Sequence, residues 1–339
     1  MNISVPSLEK KHFPVMLEEI IQICKNPNKN QLIIDCTFGG GGYSEALLKF
    51  SKTKVIALDR DKSAIKRSES LKTKSSNQFR FFNERFSNLD KIIAIEHKPN
   101  VIIFDLGLSS LQLQDYSRGF SFNASDKIDM QMGLSDISAE EVINTLDEKN
   151  LKLIIKILGE EREANKIVKN IIRARKIKKI ETVVELVRII EFSKKKNYNK
   201  KINVCTKTFQ ALRIFVNKEI SELIEGLIKA TQFVTKGGKI ITVSFHSIED
   251  KIIKYYFTNY SSNKSNPSRY LPSQSNQENS FFEKYKNNFL TPSEKELVKN
   301  PASRSAKLRY AIRTSQPFSY PVEFKERFKK YLDIENVKD

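Results

Sequence analysis

The sequence has 339 residues, of which 39% are hydrophobic, so a sizeable core is available and two domains are expected. This length and composition exclude a mini-protein and a largely disordered chain. The 59 Lys and Arg residues exceed the 40 Asp and Glu residues, and the net charge of +19 favours an acidic partner such as nucleic acid. The Lys-, Ile- and Asn-rich composition typical of an AT-rich genome is the alternative source of that charge.

The first part of the chain alternates between strand and helix patterns. From Leu32 to Ser109, short apolar runs are separated by segments with helical spacing. The predicted strands are Leu32–Phe38, Val55–Asp59, Phe79–Phe82 and Val101–Asp105, and the predicted helices are Ser44–Phe50, Lys62–Leu71 and Leu89–Glu96. Buried-type strands that alternate with helices are typical of a parallel sheet covered on both faces. The pattern therefore predicts an α/β fold with a doubly wound sheet.

A helical segment interrupts this alternation after about Gln112. Residues from Ser138 to about Ser193 show helical spacing throughout. Positions 149 to 201 contain 17 Lys and Arg against 6 Asp and Glu, a net charge of +11. This concentration of charge indicates either a surface that binds RNA or a solvated helical face.

The strand pattern resumes after a long amphipathic helix. Apolar positions repeat every three or four residues from Phe209 to Ala230, and two glycines at 237 and 238 follow. Lys239–Phe245 then has the pattern of a fifth strand, and Leu308–Arg313 that of a last one. The predicted organisation is an α/β core at 1–113 and 208–313, a helical insertion at 114–207, a flexible loop rich in Ser and Asn at 259–295, and a C-terminal tail at 314–339 with a basic helix at Phe324–Leu332.

Several kinds of site and location are disfavoured. Cys24, Cys36 and Cys205 are widely spaced and odd in number, so neither a disulfide framework nor a metal site is predicted. No stretch approaches the ~20 apolar residues that a membrane span needs. The amino-terminal residues lack the apolar run of a signal peptide. We expect a soluble, cytoplasmic protein.

The clearest motif is a run of four glycines, Gly39–Gly42, between a strand and a helix, with Asp59 at the end of the next strand. Glycines let backbone N–H groups approach a ligand closely, and an acidic residue about 20 positions later suits the hydroxyls of a ribose. No Gly-Lys-Ser/Thr follows, which excludes a Walker A loop, and the third glycine of the dinucleotide fingerprint is missing. The pattern favours S-adenosylmethionine; a purely structural turn is the alternative.

Two further segments place polar or aromatic groups at the carboxyl edge of the predicted sheet, where ligands bind in open α/β folds. Asp105 ends the fourth strand and is either a ligand-facing carboxylate or a loop cap. Ser244–Asp250 follows the fifth strand and offers Phe245 for base stacking. His246 in the same segment is either an RNA-binding residue or a histidine satisfied within its loop.

A basic segment, Asn300–Arg309, precedes and enters the last strand. Its Arg304, Lys307 and Arg309 side chains are candidates for phosphate contact. A solvated surface accounts for them equally well.

Taken together, these motifs resemble one family across most of the chain. The sequence resembles the bacterial 16S ribosomal RNA cytosine-N4 methyltransferases, the MraW family. The resemblance rests on nine segments in the same order: His12–Leu17, Asp35–Phe38 with the glycines, Asp59–Asp61, Asp105–Gln112, Arg118–Phe122 with Asp129–Met132, Gly159–Arg162, Thr208–Ile214, Phe245–Asp250 and Arg304–Arg309.

The resemblance implies a class I methyltransferase fold with a helical domain inserted after the fourth strand. It implies S-adenosylmethionine as cofactor and N4-methylation of a cytidine in the decoding region of 16S rRNA, in the small ribosomal subunit, as the activity. The cofactor contacts that it implies are Gly41, Gly42 and Tyr43 along the methionine and sulfonium, Asp59 on the ribose, Phe86 near the adenine, and Asp105 and Gln112 closing the site.

The proposed chemistry requires an acceptor for the protons of the cytosine amine, whose lone pair is conjugated into the ring. Asp105 is the candidate, in either a substrate-facing or a cofactor-facing role. Phe120 or Phe245 would stack on a base turned out of its helix. Neither a metal nor a membrane is expected to take part, and the oligomeric state is left open.

The sequence departs from the family pattern at three places. Tyr43 stands where many members have His, and Leu111 where Pro is common. Asn203–Cys205 replaces a usual His-Pro-Ala where the insertion rejoins the core. The last departure concerns substrate docking more than cofactor binding.

Other functions are weighed against this one. A methyltransferase acting on another RNA base or on a protein amine would share the fold and cofactor. A non-catalytic RNA-binding factor of ribosome assembly would keep the basic surface without using the glycine loop. A nicotinamide dehydrogenase ranks lower because the third glycine is absent.

Overall fold

The computed structural model describes residues 14–26, 29–93, 97–194, 203–262 and 280–337. His12 and Phe13 of the first family motif lie outside the described residues. The same holds for residues 94–96 at the end of a predicted helix and for 263–279 within the predicted flexible loop.

The described residues form a sheet of six strands in the order β3-β2-β1-β4-β5-β6. The strands are β1 (Gln31–Asp35), β2 (Thr53–Leu58), β3 (Phe79–Phe82), β4 (Val101–Asp105), β5 (Lys239–Ser244) and β6 (Lys307–Ile312). The first five are parallel, and β6 pairs antiparallel with β5. The strand order reverses between β1 and β4, which creates the crevice where such sheets bind ligands. The predicted doubly wound α/β sheet, with the class I methyltransferase arrangement, is confirmed.

Helices cover both faces of this sheet and form the segment between β4 and β5. They are α1 (Leu17–Cys24), α2 (Gly42–Leu47), α3 (Ser63–Lys74), α4 (Leu89–Ile93), α5 (Ser110–Gln114), α6 (Ala139–Thr145), α7 (Glu148–Ile157), α8 (Ala164–Ile177), α9 (Val183–Ser193), α10 (Thr206–Asn217), α11 (Glu219–Phe233), α12 (Ser247–Asn259), α13 (Glu294–Lys299) and α14 (Val322–Glu335). Helices α6 to α9 occupy most of the predicted insertion. Its boundaries at 114 and 207 stay a prediction.

The single long helix expected from Phe209 to Ala230 is wrong. The chain instead forms α10 and α11, which are separated at Lys218, a residue in the left-handed conformation with φ of 50°. Long-range contacts fix the break: Arg60 Nη1 donates to the carbonyl oxygen of Asn217 over 2.7 Å, and the buried Asn217 side chain accepts from Met132 N over 2.8 Å. The apolar spacing continues in phase across Lys218, so it carries no sign of the break.

Two segments expected at the periphery belong to the core. Phe281 and Phe282, in the part of the predicted flexible loop that the structure describes, are fully buried; Phe282 packs against Tyr256 and Phe257, and Phe281 stacks on Tyr260. The expected peripheral position is therefore wrong for these two residues, while the flexibility of the loop stays a prediction. Helix α14 agrees with the predicted terminal helix, and its Phe324 and Phe328 are buried in the same cluster. No helix in the described ranges is long and apolar enough to cross a membrane.

Candidate active site

A cavity of about 750 Å³ opens at the carboxyl ends of β1, β2, β4 and β5. It lies at the point where the strand order reverses, as expected for a ligand site in this fold. Most of the residues that sequence analysis assigned to a cofactor line it: Gly42, Tyr43, Asp59, Phe86, Asp105 and Gln112. Gly41 directly precedes Gly42 in this wall. Phe245, which was predicted to stack on a base, also lines the cavity.

The glycine loop is hydrogen-bonded to Asp59, a contact that was not predicted from the sequence. Gly39 N donates to one carboxylate oxygen of Asp59 over 2.7 Å, and Asp61 N donates to the other over 2.8 Å. Burial raises the pKa of Asp59. Gly41 has φ of 82°, and a Cβ there would lie 2.7 Å from the ring of Phe38, so only glycine fits this turn.

Asp105 lines the cavity and has a buried acceptor atom without a hydrogen-bond donor. Its backbone N–H donates to Thr37 Oγ1 over 2.7 Å, which fixes the end of β4. The side-chain atom Oδ1 is buried and accepts no hydrogen bond from any described residue. Burial and the negative charge of Asp35 raise the pKa of Asp105 to about 8. A buried acceptor without a donor is costly, so this atom is suited to an N–H group of a ligand.

Asp35 lies behind Asp105 and has no exposed surface. Ser44 Oγ donates to its Oδ2 over 2.8 Å, and Thr37 N donates to its Oδ1 over 3.3 Å. Burial, partly offset by these hydrogen bonds, raises the pKa of Asp35 to about 6. Asp35 therefore supports the cavity wall and tunes Asp105.

Gln112 is oriented by a charged pair beneath it. Its Nε2 donates to Asp61 Oδ2 over 2.9 Å, and Arg118 also donates to this oxygen. Burial opposes ionisation of Asp61, but hydrogen bonds from Arg118, Ser63 and Gln112 lower its pKa to about 2. Ser109 Oγ and the Gln112 side chain cap the start of α5 reciprocally, which fixes the direction of the Gln112 side chain.

Phe86 forms an aromatic wall. Its ring meets Phe104 edge to face, with the ring centroids 5.3 Å apart. The neighbouring Ser87 donates from Oγ to Glu222 Oε1 over 2.9 Å, which ties this loop to α11. The ring faces Gly226 on the same helix. This apolar slot is suited to a flat ring such as adenine.

Several residues that line the cavity had no role predicted from the sequence: Arg213, Glu219, Glu222 and Glu249 on one side, and Pro14, Val15 and Lys299–Ala302 on another. Arg213 and Glu249 belong to quoted family motifs, which was the signal available in the sequence. Arg213 donates to both carboxylate oxygens of Glu219 over 2.7 and 2.8 Å.

One group at this wall has metal-binding residue types. Ligand atoms of Glu219, His246 and Glu249 lie within 4.8 Å of one another. Both oxygens of Glu219 are already held by Arg213, and Glu249 accepts from Phe245 N over 2.9 Å. These contacts favour an ion-pair network that holds the Phe245 loop. The expectation of no metal stays a prediction.

The comparison with known protein families agrees with this geometry. The model of the MraW methylase family matches residues 9–314. The chain belongs to this family. Its relatives include proteins named ribosomal RNA small subunit methyltransferase H, from Bartonella bacilliformis (41% identical, 90% of each chain covered), Ehrlichia canis (39%, covering 89% of this chain and 99% of the relative) and Orientia tsutsugamushi strain Ikeda (40%, covering 90% and 99%).

The residues predicted to contact RNA do not form one surface. Phe245 lines the cavity and is half-buried. Phe120 is buried in the core with the Arg118 guanidinium 5.3 Å above its ring, so the prediction that it stacks on a base is wrong. His246 is mostly buried at the start of α12, where Glu249 N donates to its Nδ1 over 3.5 Å. Its buried Nε2 lies 3.1 Å from Glu249 Oε1 and has no hydrogen-bond partner among the described residues, so it is not a fully satisfied loop histidine, and its RNA contact stays a prediction.

The three predicted phosphate ligands differ in exposure. Arg309 is 3% exposed and donates to Asp250 Oδ1 over 2.8 Å, so the prediction that it contacts phosphate is wrong. Lys307 is half-buried and donates to the other oxygen of Asp250 over 2.9 Å. Arg304 is exposed, so its predicted phosphate contact remains open.

Proposed function

We propose that this chain transfers a methyl group from S-adenosylmethionine to the N4 amine of a cytidine in the decoding region of 16S rRNA, in the small ribosomal subunit. The observation that carries the proposal is the buried, unused Oδ1 acceptor of Asp105 at the cavity. Family membership supports methyl transfer, and the names of the relatives support small-subunit rRNA as the substrate.

The residues present fit the cofactor. The cavity of about 750 Å³ has room for S-adenosylmethionine together with one base. Gly41, Gly42 and Tyr43 would hold the methionine part, while Asp59 would hold the ribose. Phe86 would pack on the adenine, and Gln112 would close the site. When bound, the cofactor supplies a methyl group already activated by attachment to a sulfonium.

The chain's own contribution is to place and activate the amine. The N4 lone pair is conjugated into the cytosine ring, so the amine is a poor nucleophile. Asp105 Oδ1 accepts an N4–H hydrogen bond, which localises this lone pair and takes up positive charge as the N–C bond forms. The same carboxylate then accepts the proton that N4 loses. Its raised pKa suits a group that must gain a proton near neutral pH.

Phe245 holds the base in line with this carboxylate. Its ring is available at the cavity, while its backbone N–H donates to the buried Glu249 over 2.9 Å. A rigid aromatic residue stacks on an unpaired base regardless of sequence. Positioning of the two reactants is the main requirement for transfer from an activated methyl donor.

The first experiment is label transfer from methyl-labelled S-adenosylmethionine to small ribosomal subunits that lack the modification, followed by nucleoside mass spectrometry. We expect label in N4-methylcytidine. Label in another nucleoside or in ribosomal protein would favour the alternative acceptors. Binding to the subunit without cofactor binding would favour a non-catalytic assembly factor.

A further inference from the structure

Helix α8 of the inserted segment carries an unusual distribution of charge. Its 14 residues, ANKIVKNIIRARKI, include five Lys or Arg and no Asp or Glu. Ile167, Val168 and Ile171 are buried against the rest of the insertion. On the outer side, the exposed cations are Lys166, Lys169, Arg173 and Lys176. At 3.6 residues per turn, these four side chains fall within an arc of about 80° around the helix. We call them the α8 stripe.

Most of the α8 stripe has no acidic partner. Lys166 contacts Glu163 at 3.0 Å, and this pair is exposed. In the described parts of the chain, Lys169, Arg173 and Lys176 make no ion pair or side-chain hydrogen bond. Like charges spaced three and four residues apart on a helix repel each other and destabilise it. The arrangement therefore costs stability in the isolated protein.

The lysines that follow α8 are arranged differently. Lys178 pairs with Glu185 at 3.0 Å, and Lys179 pairs with Glu140 at 2.7 Å. A uniform excess of lysine from genome composition does not explain why cations next to each other in sequence are paired at one place and unpaired at the other. The difference indicates that the α8 stripe is reserved for an external anion.

The α8 stripe is remote from the cavity. Helix α8 packs on α7 and α9, and α7 packs in turn on α10. Helix α10 contributes Arg213 to the cavity wall. With interaxial distances of 8–10 Å, two successive helix packings place the α8 axis up to about 20 Å from that of α10.

We propose that the α8 stripe binds the phosphate backbone of the RNA substrate at a point remote from the target nucleotide. The proposal rests on the proposed function for the identity of the RNA. The stripe extends over about 15 Å of helix, long enough to follow several phosphates of one strand. Repulsion among its cations would be relieved when phosphates lie between them.

The test is a triple variant, Lys169→Gln, Arg173→Gln and Lys176→Gln, compared with wild type in subunit binding and methyl transfer. We expect KM for the small subunit to rise at least tenfold, while kcat and the Kd for S-adenosylmethionine stay unchanged. The slope of log Kd against log salt should fall by about 2–3, because three phosphate contacts are lost. The thermal midpoint should be unchanged or higher, since the repulsion is removed.

The matched control removes the same number of positive charges at the amino ends of the strands, on the side of the sheet away from the cavity. Lys49, Lys52 and Lys54 are exposed near the amino end of β2, away from the cavity. Lys49→Gln, Lys52→Gln and Lys54→Gln together should leave KM and the salt slope close to wild type. Equal weakening by both triple variants would mean a diffuse charge effect and would overturn the α8 stripe as a site.

The remaining outcomes separate this inference from the proposed function. If wild type methylates cytidine N4 but the stripe variant has unchanged KM and salt slope, the stripe proposal is wrong and the function stands. If wild type transfers no methyl group to 16S rRNA but binds it with a stripe-dependent salt slope, the function is wrong and the stripe stands. Stripe-dependent binding to phosphatidylserine vesicles with no effect on RNA would also refute the stripe as an RNA site.

Discussion

Gly226 on α11 provides the space that the Phe86 ring occupies. A Cβ at position 226 would lie 2.7 Å from Cδ2 of Phe86 and 3.2 Å from Cε1 of Phe104. Because residue 226 has no side chain, the Phe86 and Phe104 rings can pack directly against the backbone of α11 at the cavity wall. A residue outside the recognised motifs thus controls the proposed adenine slot.

Gly226→Ala should weaken S-adenosylmethionine binding by about tenfold, or ~1.4 kcal/mol. Alanine favours a helix interior over glycine by about 1 kcal/mol, so weaker binding would come from displacement of Phe86 into the cavity. Titration calorimetry measures Kd directly. Adding Phe86→Leu should restore part of the affinity, because the smaller side chain leaves room for the new methyl group. A double variant no better than Gly226→Ala would argue against this contact.

The raised pKa of Asp105 predicts a pH-dependent rate. With a pKa of about 8, the carboxylate becomes ionised as pH rises through that value, so kcat/KM should increase through pH 8 and then level off. Asp105→Asn should lower kcat by at least 100-fold and remove this dependence, since an amide cannot accept the proton. Wild-type turnover in Asp105→Asn would contradict the assignment.

Asp35 should shift the same profile. Its negative charge contributes to the raised pKa of Asp105, so Asp35→Asn should move the kcat/KM midpoint to lower pH. The amide can keep an oxygen facing the Ser44 hydroxyl, which limits damage to the fold. A midpoint unchanged from wild type in a folded variant would show that the two carboxyl groups are not coupled.

Breaking the pair beneath Gln112 should affect both stability and cofactor binding. Arg118→Met leaves Asp61 buried without its cation, at a cost of about 3 kcal/mol in the free energy of unfolding. The pKa of Asp61 is about 2 when folded and 3.8 ordinarily, so its stabilisation is present above pH 3.8 and lost as pH falls through 2. Denaturant unfolding at pH 7 and pH 3 measures this. A companion Gln112→Ala variant should weaken cofactor binding with little change in stability.

Glu335 makes the stability pH-dependent in the opposite direction. Burial raises its pKa from 4.5 to about 7, so its contribution is full below pH 4.5 and declines as pH rises through 7. Glu335→Gln keeps an acceptor for the N–H groups of Ile220 and Ser221 and should flatten the thermal midpoint over this range. Glu335→Ala loses the acceptor and should cost about 1–2 kcal/mol at pH 5. Similar midpoints for the Gln and Ala variants at pH 5 would exclude a capping role.

The strands were predictable because each is a continuous apolar run whose character does not depend on its partners. Val101–Asp105 and Phe79–Phe82 have the predicted bounds, and β5 ends one residue earlier than predicted. The break at Lys218 was not predictable, because the hydrogen bonds that Asn217 accepts from Arg60 and Met132 span 157 and 85 positions in the chain. The burial of Phe281 was not predicted because the residues before it in the sequence are polar.

The candidate site was predictable where one short motif carries it. The glycine loop and Asp59 belong to one such motif, and Gly39, Gly42 and Asp59 all line the cavity, although the hydrogen bond between Gly39 and Asp59 was not predicted. The roles of Arg213 and Glu249 emerge only when α10 and α12 meet at the cavity. Exposure also misled the sequence analysis: Arg309 belongs to a basic segment, but its position on β6 turns it inward to Asp250.

The Glu335 contact also bears on how this protein is made. The first turn of α11, which brings Glu219 and Glu222 to the cavity, lies 115 residues upstream of the carboxylate that caps it at Ile220. A nascent chain therefore holds this wall uncapped until translation has passed residue 335 and the last helix has left the exit tunnel. Cofactor affinity should therefore not be acquired before α14 has been synthesised and has left the exit tunnel.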